Sequence, residues 1–336
     1  KAHYASSPIV SVLDAQDVAA FGGFIPANAL AGKDSMKLMV LGNDDRIELV
    51  SLFDNLGKGS SGAAIDYLNL KTVAPETTRL KLSAYNMEEK HMEHISGGVC
   101  AAKGFQAGGI HCGIRKNRGK RDISMIVSEV PASAAAVYTR NLVKGAPIYV
   151  TQRNLAGGIA QLAVCNSGNA NTCNADGEEV AWQMCELAGK AAGIDPHHVI
   201  VASTGVIGQP LSIEPIAQHM GALYAAVKVN GSQEAAEGIM TTDTRLKEVA
   251  VSFVVDGKVC HLGGIAKGSG MIHPNLATML VFLTCDAAIS PAMLRKALSD
   301  NVKDTFNMVS VDGDTSTNDM VSIMANGLAG NALIDS

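Results

Sequence analysis

Apolar and polar residues alternate along 248–255, Glu-Val-Ala-Val-Ser-Phe-Val-Val, and an apolar-rich stretch follows at 258–262. Between the two lies Asp256-Gly257, the dipeptide of a type I′ turn, so the segment predicts a β-hairpin. A continuous apolar run at 279–283 and a shorter one at 199–202 predict buried strands. The stretch 122–128 is strand-like in content, with imperfect alternation. From Val180 the period changes. Val180, Met184, Leu187 and Ala191 share one helical face, and Asp176-Gly-Glu-Glu179 before them resembles a capping box. Ser290-Pro291 reads as an N-cap followed by proline at the first helical position, opening a helix over 292–298. Strands and helices in blocks predict an α+β fold of packed layers. The segment 71–91 has no period, mixes charges and carries Pro75, as a linker does.

Composition narrows the classes. At 336 residues the chain has room for two to three domains, and 47% apolar content is ample for a core. Thirty-four glycines suit tight turns between strands. Aromatics at 4% and a net charge of −5 argue against a nucleic-acid partner. The basic cluster Arg115-Lys-Asn-Arg-Gly-Lys-Arg121 reads as a solvated loop between strands. No apolar run reaches membrane-span length, and no signal-peptide pattern is present. Seven scattered cysteines without a Cys-x-x-Cys pair read as reduced thiols of a cytoplasmic protein. No metal is expected. The spacing of Cys165 and Cys173 fits no zinc pattern, and the asparagines between them suit backbone capping. His197-His198 reads as a solvated loop. Asp312, Asp314 and Asp319 lack the spacing and closing glutamate of a calcium loop. Asn318 and Asp319 are given no catalytic role.

Candidate chemistry centres on Lys267-Gly-Ser-Gly-Met-Ile-His-Pro-Asn-Leu-Ala-Thr278. A glycine-rich loop with one lysine runs into a threonine that opens a buried strand, with small Ala277 before it. That arrangement suits a self-processing N-terminal nucleophile. The Thr278 hydroxyl attacks the Ala277 carbonyl, and the freed amine then serves as the base. An ordinary strand threonine would look the same in isolation. Two other hydroxyl-bearing segments add weight. Thr204-Gly205, after the run at 199–202, can present donors to an oxyanion. Thr241-Thr242-Asp243-Thr244 precedes the hairpin, and turn chemistry alone could account for it.

From Met92 onward the chain resembles the ornithine acetyltransferase family, also called glutamate N-acetyltransferases or arginine biosynthesis bifunctional proteins ArgJ. The resemblance rests on long, co-linear motifs. They include Gly97-Gly-Val-Cys-Ala-Ala-Lys-Gly104, Cys165-Asn-Ser-Gly-Asn-Ala-Asn-Thr-Cys173, Ser203-Thr-Gly-Val-Ile-Gly208, Thr241-Thr-Asp243, Pro274-Asn-Leu-Ala-Thr-Met-Leu280 and Val311-Asp-Gly-Asp-Thr-Ser-Thr-Asn-Asp319. It implies a precursor that cuts itself between Ala277 and Thr278 into an α chain and a β chain, assembled in the family as a heterotetramer. Thr278 then carries an acetyl group from N-acetylornithine to glutamate. Thr204 and Gly205 form the oxyanion hole, and Thr241, Thr242, Lys267 and Thr278 bind substrate. No cofactor is implied, with acetyl-CoA as a further possible co-substrate. The fold implied is layered sheets sandwiched between helices, similar to the N-terminal-nucleophile architecture. Where the family has methionine this chain has Leu276, a volume-conserving exchange.

The family pattern continues past Ser336. The sequence therefore carries the expectation of a domain incomplete at its C-terminus, with little acetyl transfer by residues 1–336 alone. Residues 1–70 resemble the C-terminal end of N-acetyl-γ-glutamyl-phosphate reductase, on Val40-Leu-Gly-Asn-Asp44 and Asp54-Asn-Leu-Gly-Lys-Gly-Ser-Ser-Gly62. The latter is no P-loop, because Lys58 is followed by glycine. The division expected is a reductase-like fragment at 1–70, a linker at 71–91 and an acetyltransferase-like domain at 92–336, with its α region at 92–277 and its β region from 278. Two other readings stand beside this one: an N-terminal-nucleophile amidohydrolase that gives the acyl group to water, and an unprocessed, inactive fragment.

Overall fold

The computed structural model describes residues 10–13, 36–42, 47–53, 92–269, 279–302, 305–308 and 315–336. The chain divides into two compact units, Lys1–Glu89 and Lys90–Ser336. In the first unit, β1 (Val10–Val12) pairs parallel with β2 (Met36–Gly42), which pairs antiparallel with β3 (Ile47–Phe53). The glycine-rich stretch at 54–62 and the linker expected at 71–91 lie outside the described residues.

The second unit is built on a mixed sheet, nine-stranded among the described residues. In chain order its strands are β4 (Glu93–Ile95), β5 (Phe105–Ile110), β6 (Ile123–Tyr138), β7 (Ile159–Asn169), β8 (Val199–Val206), β9 (Lys247–Val255), β10 (Lys258–Lys267), β11 (Leu280–Cys285) and β12 (Met320–Ala325). Their spatial order is β4-β9-β10-β11-β12-β6-β7-β8, with β5 beside the first half of β6. Two neighbouring pairs are parallel, β7 with β8 and β11 with β12. The helices are α1 (Ala146–Asn154), α2 (Gly177–Ala192), α3 (Glu214–Ala225), α4 (Ser232–Ile239) and α5 (Pro291–Val302).

Strand alternation sorts the core into layers. Ile126, Ala132 and Ala134 of β6 join Ala163, Ile200, Phe282 and Met320 on one face, where Ala235, Ala236 and Ile239 of α4 pack. Residues of opposite parity face the other way. At the β7–β8 end, Ile123, Met125, Leu162, Val164 and Val201 meet Val180 and Met184 of α2 and Ile216 and Leu223 of α3. At the β11–β12 end, Ala135, Val281, Val321 and Ile323 meet Leu294 and Leu298 of α5. The result is an α+β fold with helices on both faces of the sheet.

Local signals explain most elements. Asp256 and Gly257 both have positive φ, 48° and 75°, and β9 and β10 pair from Val255↔Lys258 onward, so the predicted I′ hairpin forms. The Ser290 Oγ accepts the Met293 N–H at 3.4 Å, opening α5 with Pro291 in its first turn. The capping box before α2 does not form. Asp176 stands at the N-cap without a side-chain bond, its backbone at φ −99° and ψ 9° rather than the extended form of a capping residue, and the Glu179 carboxylate accepts from Gln183 instead. The strand read at 122–128 runs on to Tyr138. Its register with β7 shifts between Val127 and Ala132, and the bulge accommodates Pro131, which cannot donate to a ladder.

Candidate active site

Parallel strands β7 and β8 end side by side, with Asn169 opposite Val206. A ligand crevice commonly opens beyond the carboxyl ends of such strands. Here a cavity of about 530 Å³ opens beside Thr204, Gly205, Val206 and Ile207. Thr241, Thr242 and Lys267 line it, as do Arg115, Gly168 and Ala170, and Ser316, Thr317 and Asn318 close it. The structure thus brings together five of the predicted site residues: Thr204, Gly205, Thr241, Thr242 and Lys267. Ala277 and Thr278 lie outside the described residues.

The strand ends are shaped by asparagines, as the sequence between Cys165 and Cys173 predicts. Asn166 Nδ2 donates to the Asn169 carbonyl at 3.0 Å, and Asn166 Oδ1 accepts from Ser203 Oγ at 2.6 Å. Asn169 Nδ2 donates to the carbonyls of Gln209 and Pro210, and Asn171 Nδ2 to that of Gly177. These bonds satisfy backbone groups that leave the ladder where β7 and β8 diverge. Gly205 has φ 138°, and a Cβ there would lie 2.3 Å from the Gly168 carbonyl carbon and 2.5 Å from the Asn169 nitrogen. Only glycine fits both the conformation and the approach. Gly205→Ala is expected to destabilise the fold by about 3 kcal/mol or more, from backbone strain plus a clash with main-chain atoms. A denaturant melt with an unchanged midpoint would count against this.

Lys267 ends β10 and is 4% exposed. Its Nζ donates to Thr204 Oγ1 at 3.1 Å. Burial holds its ammonium below the usual lysine range, and the charges of Asp243 and Asp319 limit the drop. Asp243 is the hub behind it. Its Oδ1 accepts from Lys247 Nζ at 2.6 Å and from the Gly268 N–H at 2.8 Å, and its Oδ2 accepts from the Thr241 N–H at 3.2 Å. Burial alone would raise this carboxyl, but the Lys247 bond and the two N–H donors hold it below the usual carboxylate range. One carboxylate thereby ties the Thr241-Thr242 turn to the start of the glycine-rich loop. Thr242 and Ser269 hydroxyls, 2.6 Å apart, add a second tie.

The residue least legible in the sequence is Asn318. Given no role from its pattern, it is buried in the cavity wall and joins three segments. Its Nδ2 donates to the carbonyls of Ala170 at 2.6 Å and Ser203 at 2.9 Å, and its Oδ1 accepts from the Thr172 hydroxyl at 2.7 Å. The basic cluster also needs correction. Its middle, 116–120, is exposed as expected, but Arg115 and Arg121 at its ends are only partly exposed and are tied to other segments. Arg121 bonds the Gly109 carbonyl at 3.0 Å and pairs with Glu237, and Arg115 reaches the cavity. His197 is exposed and lies against the Trp182 ring, centroids 4.9 Å apart. Among the described residues no cluster of three His, Cys, Asp or Glu could hold a metal, all seven cysteines are unpaired, and no helix is long and apolar enough to cross a membrane.

Residues 106–335 match the family model described as the ArgJ family. The chain belongs to the ArgJ family. It is 50% identical over 245 residues to the arginine biosynthesis bifunctional protein ArgJ of Symbiobacterium thermophilum, covering 72% of this chain and 61% of that protein. The ArgJ protein of Bacillus subtilis is 47% identical over 247 residues, 73% of this chain and 60% of that protein. The chain thus spans about three fifths of the length of these ArgJ relatives. Among solved structures, ArgJ of Bacillus halodurans aligns with a TM-score of 0.53 at 39% identity, over 57% of this chain and 100% of that one. Ornithine acetyltransferase of Mycobacterium tuberculosis, solved in complex with ornithine, aligns with a TM-score of 0.51 at 32% identity, over 56% and 100%.

Proposed function

We propose that the cavity serves acetyl transfer from N-acetylornithine to glutamate in arginine biosynthesis, through an acyl-enzyme on Thr278 that is exposed by self-cleavage after Ala277. The observation that carries this reading is the meeting of Thr204, Gly205, Thr241, Thr242 and Lys267 around one cavity in a chain of the ArgJ family. Thr278 stands two residues before Leu280, and Leu280 pairs with Lys267 on one side and with Met320 on the other. The solved Bacillus halodurans chain is matched whole by 57% of this chain, close to the share made up by residues 92–277. That agrees with a separate α chain.

Each residue has a task that follows from its surroundings. Thr204 Oγ1 accepts from Lys267, which leaves its own hydrogen to be donated to an oxyanion, and the nearby cation strengthens that donor. Gly205 allows the main chain to approach the same point. Of the three hydrogens on Lys267 Nζ, one goes to Thr204, and the other two suit the substrate's α-carboxylate. The Thr278 amine, with an intrinsic pKa of about 8, suits a base at neutral pH. Acetyl transfer in two halves gives ping-pong kinetics. The proposed setting is the cytoplasm, in keeping with the unpaired cysteines.

The assay is ornithine release from N-acetylornithine with and without glutamate, with acetyl-CoA offered as donor in a parallel arm. Glutamate-dependent release supports transfer, whereas release that ignores glutamate supports the hydrolase reading. In a chain of the ArgJ relatives' full length, Thr204→Ala is expected to lower kcat about 100-fold with a smaller change in KM. A kcat unchanged by that substitution removes Thr204 from the mechanism.

A further inference from the structure

The cavity carries more positive charge than one α-carboxylate needs. Its described lining includes two cations, Lys267 and Arg115, and no acidic side chain. Arg115 lies in the loop between β5 and β6, and the fold holds it in three ways. Asp122, fully buried, accepts the N–H groups of Cys112 at 2.6 Å, Gly113 at 3.2 Å and Arg115 itself at 2.9 Å. The Arg115 stem lies over Gly168, where a Cβ would stand 2.8 Å from Arg115 Cγ. The guanidinium donates from Nη2 to the Met240 carbonyl, at the entrance to the Thr241-Thr242 turn. A guanidinium has five N–H donors, and among the described residues the Met240 carbonyl takes one of them, which leaves a fork beside the cavity. The two carboxylates whose charge reaches Arg115 are engaged elsewhere, Asp122 by backbone N–H groups and Asp243 by Lys247, Gly268 and Thr241.

We propose that, when the acceptor amino acid is bound, Arg115 is a second anion anchor, binding its side-chain carboxylate while Lys267 holds the α-carboxylate, so that the acceptor step selects dicarboxylic amino acids over their amides. The inference rests on the role given to Lys267 above. A planar fork matches a carboxylate in two parallel bonds, which a lysine in the same place cannot do. The amide of the same amino acid presents one acceptor and one donor group, so it forfeits half of the match and the charge.

Titration calorimetry of the full chain with glutamate, glutamine and ornithine tests this. Glutamate is expected to bind about tenfold or more tighter than glutamine, the worth of a charge-assisted pair. Arg115→Gln is expected to bring glutamate down to the level of glutamine while leaving glutamine binding unchanged, which also shows that the pocket is intact. Arg115→Lys, which keeps the charge and the loop anchor, is expected to keep glutamine binding and lose part of the preference. Either variant binding glutamate with the full parental preference overturns the proposal. Lys267→Gln that leaves glutamine binding intact overturns the Lys267 assignment alone. A parent chain that binds none of the three overturns both.

Discussion

In a chain of the ArgJ relatives' full length, Thr278→Ala is expected to leave one uncut polypeptide on a denaturing gel, where the unsubstituted chain is expected to separate into two pieces that meet at Ala277 and Thr278. The effect is all-or-none because the proposed cleavage depends on one oxygen atom. An N-to-O acyl shift needs a hydroxyl on the residue after the scissile carbonyl, and alanine has none. Thr278→Ser keeps the oxygen and is expected to cut, which separates loss of the nucleophile from loss of the strand's β-branched residue. Intact mass spectrometry reads both variants directly. If the alanine variant still parts at the same bond, the nucleophile lies elsewhere.

Lys267→Gln is expected to lower the affinity for amino-acid carboxylates about 100-fold, since it removes a buried ion pair's only cation at that end of the ligand. The pH dependence of the parent gives a second reading. Burial lowers the pKa of Lys267, so carboxylate binding should weaken on the alkaline side at a lower pH than a solvated lysine would allow. Stability moves the opposite way. Between the folded-state pKa and the ordinary lysine value the unfolded chain holds more protons, so this group's cost to the fold is present in full below the folded-state pKa and fades as pH rises through that window. Lys267→Gln removes the cost, and its melting midpoint at neutral pH is expected to be no lower than that of the parent. A variant that loses binding and stability together would show that Lys267 is chiefly structural.

What was legible in advance follows physical lines. The hairpin at Asp256-Gly257 was readable because its turn depends on two adjacent residues, and α5 because Ser290-Pro291 is a local signal. The 16-residue β6 was only half readable, since Pro131 ends a strand by local rules and is tolerated here by a bulge that depends on β7. Strands β5 and β7 carry no clean alternation. Gly108-Gly109 and Ser167-Gly168 break their apolar pattern, yet Gly108 and Gly109 allow close approach of other main-chain segments and Gly168 leaves room for the Arg115 and Ile114 side chains. In the cavity, Thr204, Thr241 and Lys267 were found through motifs. Asn318 and Arg115 were not, because their roles depend on partners 115–148 positions away in the chain, Ser203 and Ala170 for the one and Met240 for the other.

The pairing of β10 with β11 bears on what a cut at Ala277–Thr278 would cost the molecule. These strands are antiparallel neighbours bonded from Lys267↔Leu280 to Leu262↔Cys285, and β11 is held on its other edge by β12. The severed bond would fall in the connection between them, so both ladders would survive and the native state would barely register the loss. The unfolded state would register it fully. An uncut chain refolds as a single molecule, whereas two pieces must first find each other, so recovery after denaturation becomes second order and the melting point depends on protein concentration. Processing would turn two strand pairings of an ordinary fold, β10 with β11 and β6 with β12, into a subunit interface, assembled once from a single chain and recovered only slowly from dilute solution.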